Sequence, residues 1–383
     1  MNAEQADSKP SKNSRQVRRM NEGQDITRYY ALTMLKNALS VVGTLGVACL
    51  GAQICLALQT PLPWMIGPLL ATALASIVGA PTLSATPLRN AAQCTVGLAL
   101  GLYFTPEVMR LVGSLWWAIL LGVVWALALG WLFGCFLHHL HDPSQPRLDR
   151  ATTFFAGAIG AASEMTLLAE RAQGRTDLVA SAHSLRLLMV TVLIPFAMQF
   201  SGLHGLDRSG FITPDVRWWG LAGLYALAAV CSYLLDRYDR ANPWFMGSLL
   251  VAMGLTAWDV RLSTLPASWV NAAQLVIGVS LGVRFTRQFV MAAPRWLALV
   301  ALGTLGLMAL CAGFGIVMSW MTDLHPATMM LATAPGGIAE MSITAKVLQL
   351  GAPMVTALQV SRLMAVLVLL EPIYRRFIAA PKN

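Results

Sequence analysis

Apolar runs dominate this chain, and they come in two sets of six. Marked off by Pro, Gly and charge, they cover approximately 38–58, 61–79, 90–104, 108–137, 151–169 and 178–201, then 218–235, 243–258, 269–284, 296–320, 327–345 and 353–374. A helix needs about 20 such residues to cross the roughly 30 Å hydrocarbon core of a bilayer. The 383 residues are 56% hydrophobic and 12% charged, against about 45–50% and about 25% in ordinary soluble domains. So little charge cannot clothe a globular surface. A soluble enzyme, a fibrous or disordered protein and a secreted disulfide scaffold are thereby excluded, and an all-α polytopic membrane protein with the lipid bilayer as its solvent is predicted.

The excess of basic residues, 27 Lys and Arg against 18 Asp and Glu, would suggest nucleic acid in a soluble chain. Here the cations are spread over loop positions, as orientation in a bilayer requires. Residues 1–30 carry Lys9, Lys12, Arg15, Arg18 and Arg19 among polar neighbours. They read as a disordered cytoplasmic tail, neither a signal peptide nor a DNA-binding arm, and no direct nucleic-acid partner is expected. Cys49, Cys55, Cys94, Cys135, Cys231 and Cys311 all fall in apolar stretches without a CxxC spacing, so they read as small buried side chains.

The two sets of six are copies. Asn90-Ala-Ala-Gln-x3-Gly97-x2-Leu100-Gly101-x2-Phe104-Thr105 recurs from Asn271 to Thr286, nine identities in sixteen positions at an offset of 181. Pro63-Trp64-x2-Gly67-x-Leu69-Leu70 recurs at Pro243-Trp244, and Gly160, Glu164, Met165 and Arg186 recur at an offset of 176 as Gly336, Glu340, Met341 and Arg362. Residues 31–203 and 216–377 are therefore read as two membrane repeats.

The fifth run of each copy decides their relative orientation. Its apolar parts, Ala151 to Ala162 and Pro326 to Ala339, are short, and the second is broken by Pro335-Gly336-Gly337. Runs of about 10–14 residues fit re-entrant segments. With these segments re-entrant, the loop arginines and lysines divide 13 inside to 4 outside; with them spanning, 9 to 8. The positive-inside rule selects the first arrangement. The expectation is ten transmembrane helices plus two broken re-entrant segments in two inverted repeats, with both termini cytoplasmic.

Glu164 and Glu340 fall at the broken points, and Arg186 and Arg362 fall mid-way along the sixth runs, with His183 and Gln359 three residues earlier. A charge near the bilayer centre costs about 2.5–3.5 kcal/mol, so each must pair or line a wet cavity. One reading makes Glu164–Arg186 and Glu340–Arg362 ion pairs that weld each break to its neighbour. The favoured reading makes these residues, with Pro335, Gly336 and Gly337, a substrate or ion site, a Glu carrying a coupling proton. Asn90, Gln93, Asn271 and Gln274 read as helix caps and interhelical hydrogen-bonding groups, with a share in the site as the alternative. His138, His139, His141 and Asp142 form the one dense metal-like cluster; it reads as a solvated loop, and no metal or other cofactor is expected. Neither a P-loop nor a dinucleotide fingerprint nor a Ser/His/Asp set is present, so no enzymatic activity is expected.

The paired Pro-Trp-x2-Gly segments, the paired Asn-Ala-Ala-Gln…Leu-Gly…Phe-Thr segments, Pro335-Gly336-Gly337-x2-Glu340-Met341 and Gln359-x2-Arg362 together resemble the AbrB-like duplicated membrane protein family over roughly residues 35–377. Labels attached to that family are "regulator AbrB" and "ammonia monooxygenase". Its layout is similar to that of the cation:proton antiporter and bile-acid-symporter-like group, which is built from inverted five-helix repeats with broken helices. The resemblance implies an inner-membrane, ion-coupled secondary transporter of a small molecule or ion. The alternatives are a membrane-embedded regulator of gene expression and, more distantly, the monooxygenase, for which the chain offers no convincing intramembrane ligand set. A homodimer is compatible with the layout and not required by it.

Overall fold

The computed structural model describes residues 12–140, 149–202, 216–238, 240 and 242–378, with side chains from Thr33 onward except at 290, 292 and 377. Among the described residues there are sixteen helices and no strand. The first eight are α1 (Lys12–Ala57), α2 (Pro63–Val78), α3 (Thr86–Gly101), α4 (Pro106–Ser114), α5 (Trp116–His139), α6 (Arg150–Gly157), α7 (Ala162–Arg171) and α8 (Thr176–Phe200). The second eight are α9 (Trp218–Arg237), α10 (Pro243–Ala257), α11 (Ala267–Gly282), α12 (Arg287–Ala292), α13 (Pro294–Thr322), α14 (Pro326–Thr333), α15 (Ile338–Val347) and α16 (Ala352–Phe377). Helix n of the first set corresponds to helix n + 8 of the second.

Among the described residues, six helices are long and apolar enough to cross a membrane: Thr33–Ala57 within α1, then α5, α8, α9, α13 and Ala352–Arg376 within α16. The expected count of ten includes α2, α3, α10 and α11, which have only 15 or 16 residues each. At 1.5 Å per residue these reach about 24 Å. Helix α1 extends back to Lys12, inside the segment read as a disordered tail; the rest of that tail lies outside the described residues.

The repeated motifs have local physical causes. Leu62 and Asn242 both take the left-handed conformation (φ 49° and 48°), and the proline that follows each supplies the fixed φ of a first helical position. Thr105 and Thr286 close the Asn-Ala-Ala-Gln motif as side-chain N-caps, accepting from Val108 N at 3.4 Å and Phe289 N at 3.2 Å. The Gly residues permit close helix crossing. A Cβ on Gly97 would stand 2.5 Å from Phe245 O in α10, and one on Gly278 would stand 2.5 Å from Met65 O in α2. Phe245 is the counterpart of Met65, so α3 packs on α10 as α11 packs on α2, and the duplication is carried into reciprocal tertiary contacts.

Two groups of helices result. α1, α2 and α3 pack with α9, α10 and α11, while α5 to α8 pack with α13 to α16. The second group holds two large apolar cores, one around Phe133, Phe155, Met165 and Trp296, the other around Met318, Met329, Met341 and Leu358. A third core joins the groups, bringing Met65, Val96, Phe245 and Ile277 against Ile338, Ile343 and Leu363. Outward faces of α1, α5, α9 and α13 expose Leu39, Ile54, Leu120, Trp131, Val230, Leu302 and Trp320, a surface for which lipid is the natural solvent.

Candidate functional site

Helices α6 and α7 leave and return on one side. Arg175 N–H, just past α7, donates to Thr152 Oγ1 near the start of α6 at 2.7 Å. Gly351 N–H, past α15, donates to Thr328 Oγ1 near the start of α14 at 3.2 Å. Both donors and both acceptors correspond at an offset of 176. Each fifth run is thus a closed hairpin of two short helices, with its break at residues 158–161 or 334–337.

A break leaves the carbonyls at the end of the incoming half-helix without helical partners, at the negative end of its dipole. The buried arginines meet that need. Arg186 Nη2 donates to Ala158 O at 2.8 Å, with Nη1 3.4 Å from both Ala156 O and Gly157 O. Arg362 donates from Nη1 to Ala334 O at 2.6 Å and from Nη2 to Gly336 O at 2.7 Å. His183 Nε2 lies 2.9 Å from Phe155 O, with its Nδ1 2.7 Å from Arg186 Nη2. These contacts fit the neutral ring protonated on Nε2. Gln359 repeats the role, donating from Nε2 to Leu331 O at 2.9 Å and Ala334 O at 3.1 Å.

The Glu–Arg welds expected as one reading are therefore replaced. Among the described residues neither Glu164–Arg186 nor Glu340–Arg362 forms an ion pair, and the guanidiniums hold backbone carbonyls instead. The sequence spacing marks these charged residues, but it carries no information about carbonyls released by a break.

The glutamates occupy unlike settings. Glu340 is 7% exposed and folds back on the start of α15, where a Cβ at Gly337 would lie 2.0 Å from its Oε2. Its carboxylate accepts from its own amide there, as an acidic group at the third helical position does. Glu164, half-buried, is within electrostatic reach of Arg171 on its own helix. Ala161 stands where Gly337 stands in the other copy, so this position carries a Cβ where the other hairpin has none.

Between the two helix groups lies a cavity of about 220 Å³. Ile159 to Ser163 and Pro335 to Glu340, the tips of both hairpins, form its floor, and His183 and Arg186 line it. Arg89, Gln93, Asn242, Ser280 and Arg284 line it from the opposite group. Of the expected site residues, the cavity collects Pro335, Gly336, Gly337, Glu340, His183, Arg186 and Gln93. Gln359, Arg362 and Glu164 lie off its wall. Asn90, Asn271 and Gln274 also lie off it, Gln274 being 5% exposed. None of these four Asn and Gln residues caps a helix, because the N-caps of α3 and α11 are Ala85 and Pro266. Nothing in the sequence sets Arg89 and Arg284 apart, because a loop arginine looks the same there whether it faces headgroups or a cavity mouth.

Among the described residues no group of three or more His, Cys, Asp and Glu side chains is placed to hold a metal ion. His138 and His139 end α5, and His141 and Asp142 lie outside the described residues.

Fold and site together define an all-helical protein of membrane type, duplicated, with two closed hairpins meeting beside an arginine-rich cavity. The chain belongs to the AbrB family: the family model described as "Transition state regulatory protein AbrB" matches residues 64–378. It is similar to "Uncharacterized protein YhjN" of Bacillus subtilis (strain 168), 24% identical over 368 residues, covering 89% of this chain and 94% of the relative. It is also similar to "Putative regulator AbrB" of Escherichia coli (strain K12), 26% identical over 342 residues, covering 86% of this chain and 94% of the relative.

Proposed function

We propose that this protein is an inner-membrane secondary transporter that moves a small solute by alternating access. Each copy would contribute five crossings and one hairpin, so the copies would run in opposite directions and both termini would lie in the cytoplasm. The closed hairpins support this reading, as does the 13 to 4 division of basic residues. The single observation that carries it is the cavity lined by both hairpin tips, at the seam between the two helix groups. Motion of one group against the other would close this cavity and open its counterpart on the opposite face. Arg89 and Arg284 stand on the face that the basic-residue rule assigns to the cytoplasm, so this conformation would be inward-open.

Glu340 is the residue suited to carry a coupling proton, being an ionisable group on the cavity wall without an ion-pair partner among the described residues. Uptake of labelled solutes into sealed proteoliposomes under a proton or sodium gradient tests the proposal. Gradient-dependent uptake that E340Q uncouples from the proton gradient supports it, and solute flux no greater than in protein-free vesicles refutes it. The regulatory name carried by the Escherichia coli relative needs no nucleic-acid contact here, since a protein that moves a signal metabolite alters gene expression indirectly.

A further inference from the structure

The cavity wall is unbalanced in charge. Arg89, Arg186 and Arg284 face it, with Glu340 as the carboxylate. Arg186 is occupied by the carbonyls of the first hairpin. Arg89 and Arg284 lie within electrostatic reach of each other, and no acidic side chain among the described residues forms an ion pair with either. Glu340 is also within electrostatic reach of Arg284, so a single carboxylate stands against two guanidiniums and only partly offsets their repulsion, a cost that folding alone does not explain. The Nε of Arg89 is buried without a hydrogen-bond partner.

Opposite them, Ala161, Ala162 and Ser163 present the first turn of α7 to the same space. That helix start has no side-chain cap, and the Glu164 of its first turn lies off the cavity wall, so the positive dipole end also faces the cavity. In the other hairpin the Glu340 carboxylate fills the corresponding place. The Glu340 carboxylate thus folds onto one helix start beside the cavity, whereas at the matching start the Glu164 carboxylate lies off the cavity wall. At about 220 Å³ the space is smaller than the roughly 300–1,000 Å³ of drug-sized sites.

Resting on the transporter reading, we infer that the solute is a small organic or inorganic oxyanion, a carboxylate or phosphate, received between Arg89, Arg284 and the start of α7. A planar fork of donors matches either group, and two forks can hold it from both sides. Lys and Arg are not interchangeable in that geometry.

The test uses the purified full chain in detergent, its thermal unfolding followed with succinate, inorganic phosphate, methylammonium and glucose as probes. The inference expects succinate or phosphate to raise the unfolding temperature, and the responding anion identifies the acidic group. Arg284 is exposed, so R284Q keeps the fold; it should weaken the anion's Kd by about tenfold, the loss of one charge-assisted interaction. R284K should recover only part of that loss. Stabilisation by methylammonium or glucose alone, no response to either anion, or an anion response unchanged in R284Q would overturn the inference. Paired flux assays separate it from the reading beneath it. Anion binding with no flux in sealed vesicles leaves the site standing and removes the transporter; methylammonium flux with no anion binding does the reverse.

Discussion

Replacing Arg362 by Lys isolates what the guanidinium fork does. The charge is kept, so the cost of burying a cation is roughly constant between the two proteins. Arg362 is 7% exposed and bonds two different carbonyls, Ala334 O at 2.6 Å and Gly336 O at 2.7 Å. The shorter point charge of Lys cannot hold both, so at least one bond to a charged donor is lost, about 1.5–3 kcal/mol. The companion variant is E340Q. Were Glu340 the buried ion-pair partner of Arg362, removing it would cost about 3–5 kcal/mol. In the observed arrangement Glu340 caps α15, a task that Gln at the third helical position also performs, so E340Q should cost less than about 1 kcal/mol, within the range of capping effects. Both are measured by SDS-induced unfolding in mixed micelles, monitored by tryptophan fluorescence. An E340Q penalty equal to or above that of R362K would refute the assignment of the arginine to the helix break.

Other outcomes follow from the same geometry. H183Q should be tolerated within about 1 kcal/mol, because Gln359 already makes the corresponding carbonyl contact in the second copy; a penalty above that range in the same unfolding assay contradicts the equivalence. G337A places a methyl in the space used by Glu340 Oε2, so Glu340 should swing out and react faster with a carbodiimide, as read by mass spectrometry, and an unchanged rate contradicts the fold-back. G97A drives a Cβ to within 2.5 Å of Phe245 O, whereas Gly113 has open space around it. G97A should therefore cost about 1–3 kcal/mol by overpacking, while G113A should be neutral or stabilising by up to about 1 kcal/mol; a reversed order in thermal unfolding would show that α3 and α10 do not cross so closely.

Much of the helical order was legible because apolar runs, prolines and duplicated glycines carry local signals. The run expected over 108–137 nevertheless divides at Leu115 into α4 and α5, just after Gly113-Ser114. The site was legible only in part. Glu340, Arg186, His183 and the Pro335-Gly336-Gly337 break declared themselves as polar or helix-breaking groups in apolar surroundings. Their partners did not, because a carbonyl freed by a broken helix is invisible in sequence. Gly337 shows the same limit from the other side. Its φ of −77° is open to any residue, and the need for glycine comes from a carboxylate three residues later. The difference from Ala161 is a visible departure between the copies, but its consequence for the two glutamates lies in the three-dimensional packing.

Gln173 and Gln349 occupy equivalent positions at the closing turns of the two hairpins, both exposed and both in the left-handed conformation (φ 59° and 54°). Single cysteines at these sites, in a background without the native six, should report opposite faces of the membrane: a membrane-impermeant maleimide applied to intact spheroplasts should label Q349C and leave Q173C unlabelled until the membrane is opened. Labelling of both cysteines from the same face would contradict the opposed arrangement of the two copies, and with it the proposed route through the protein.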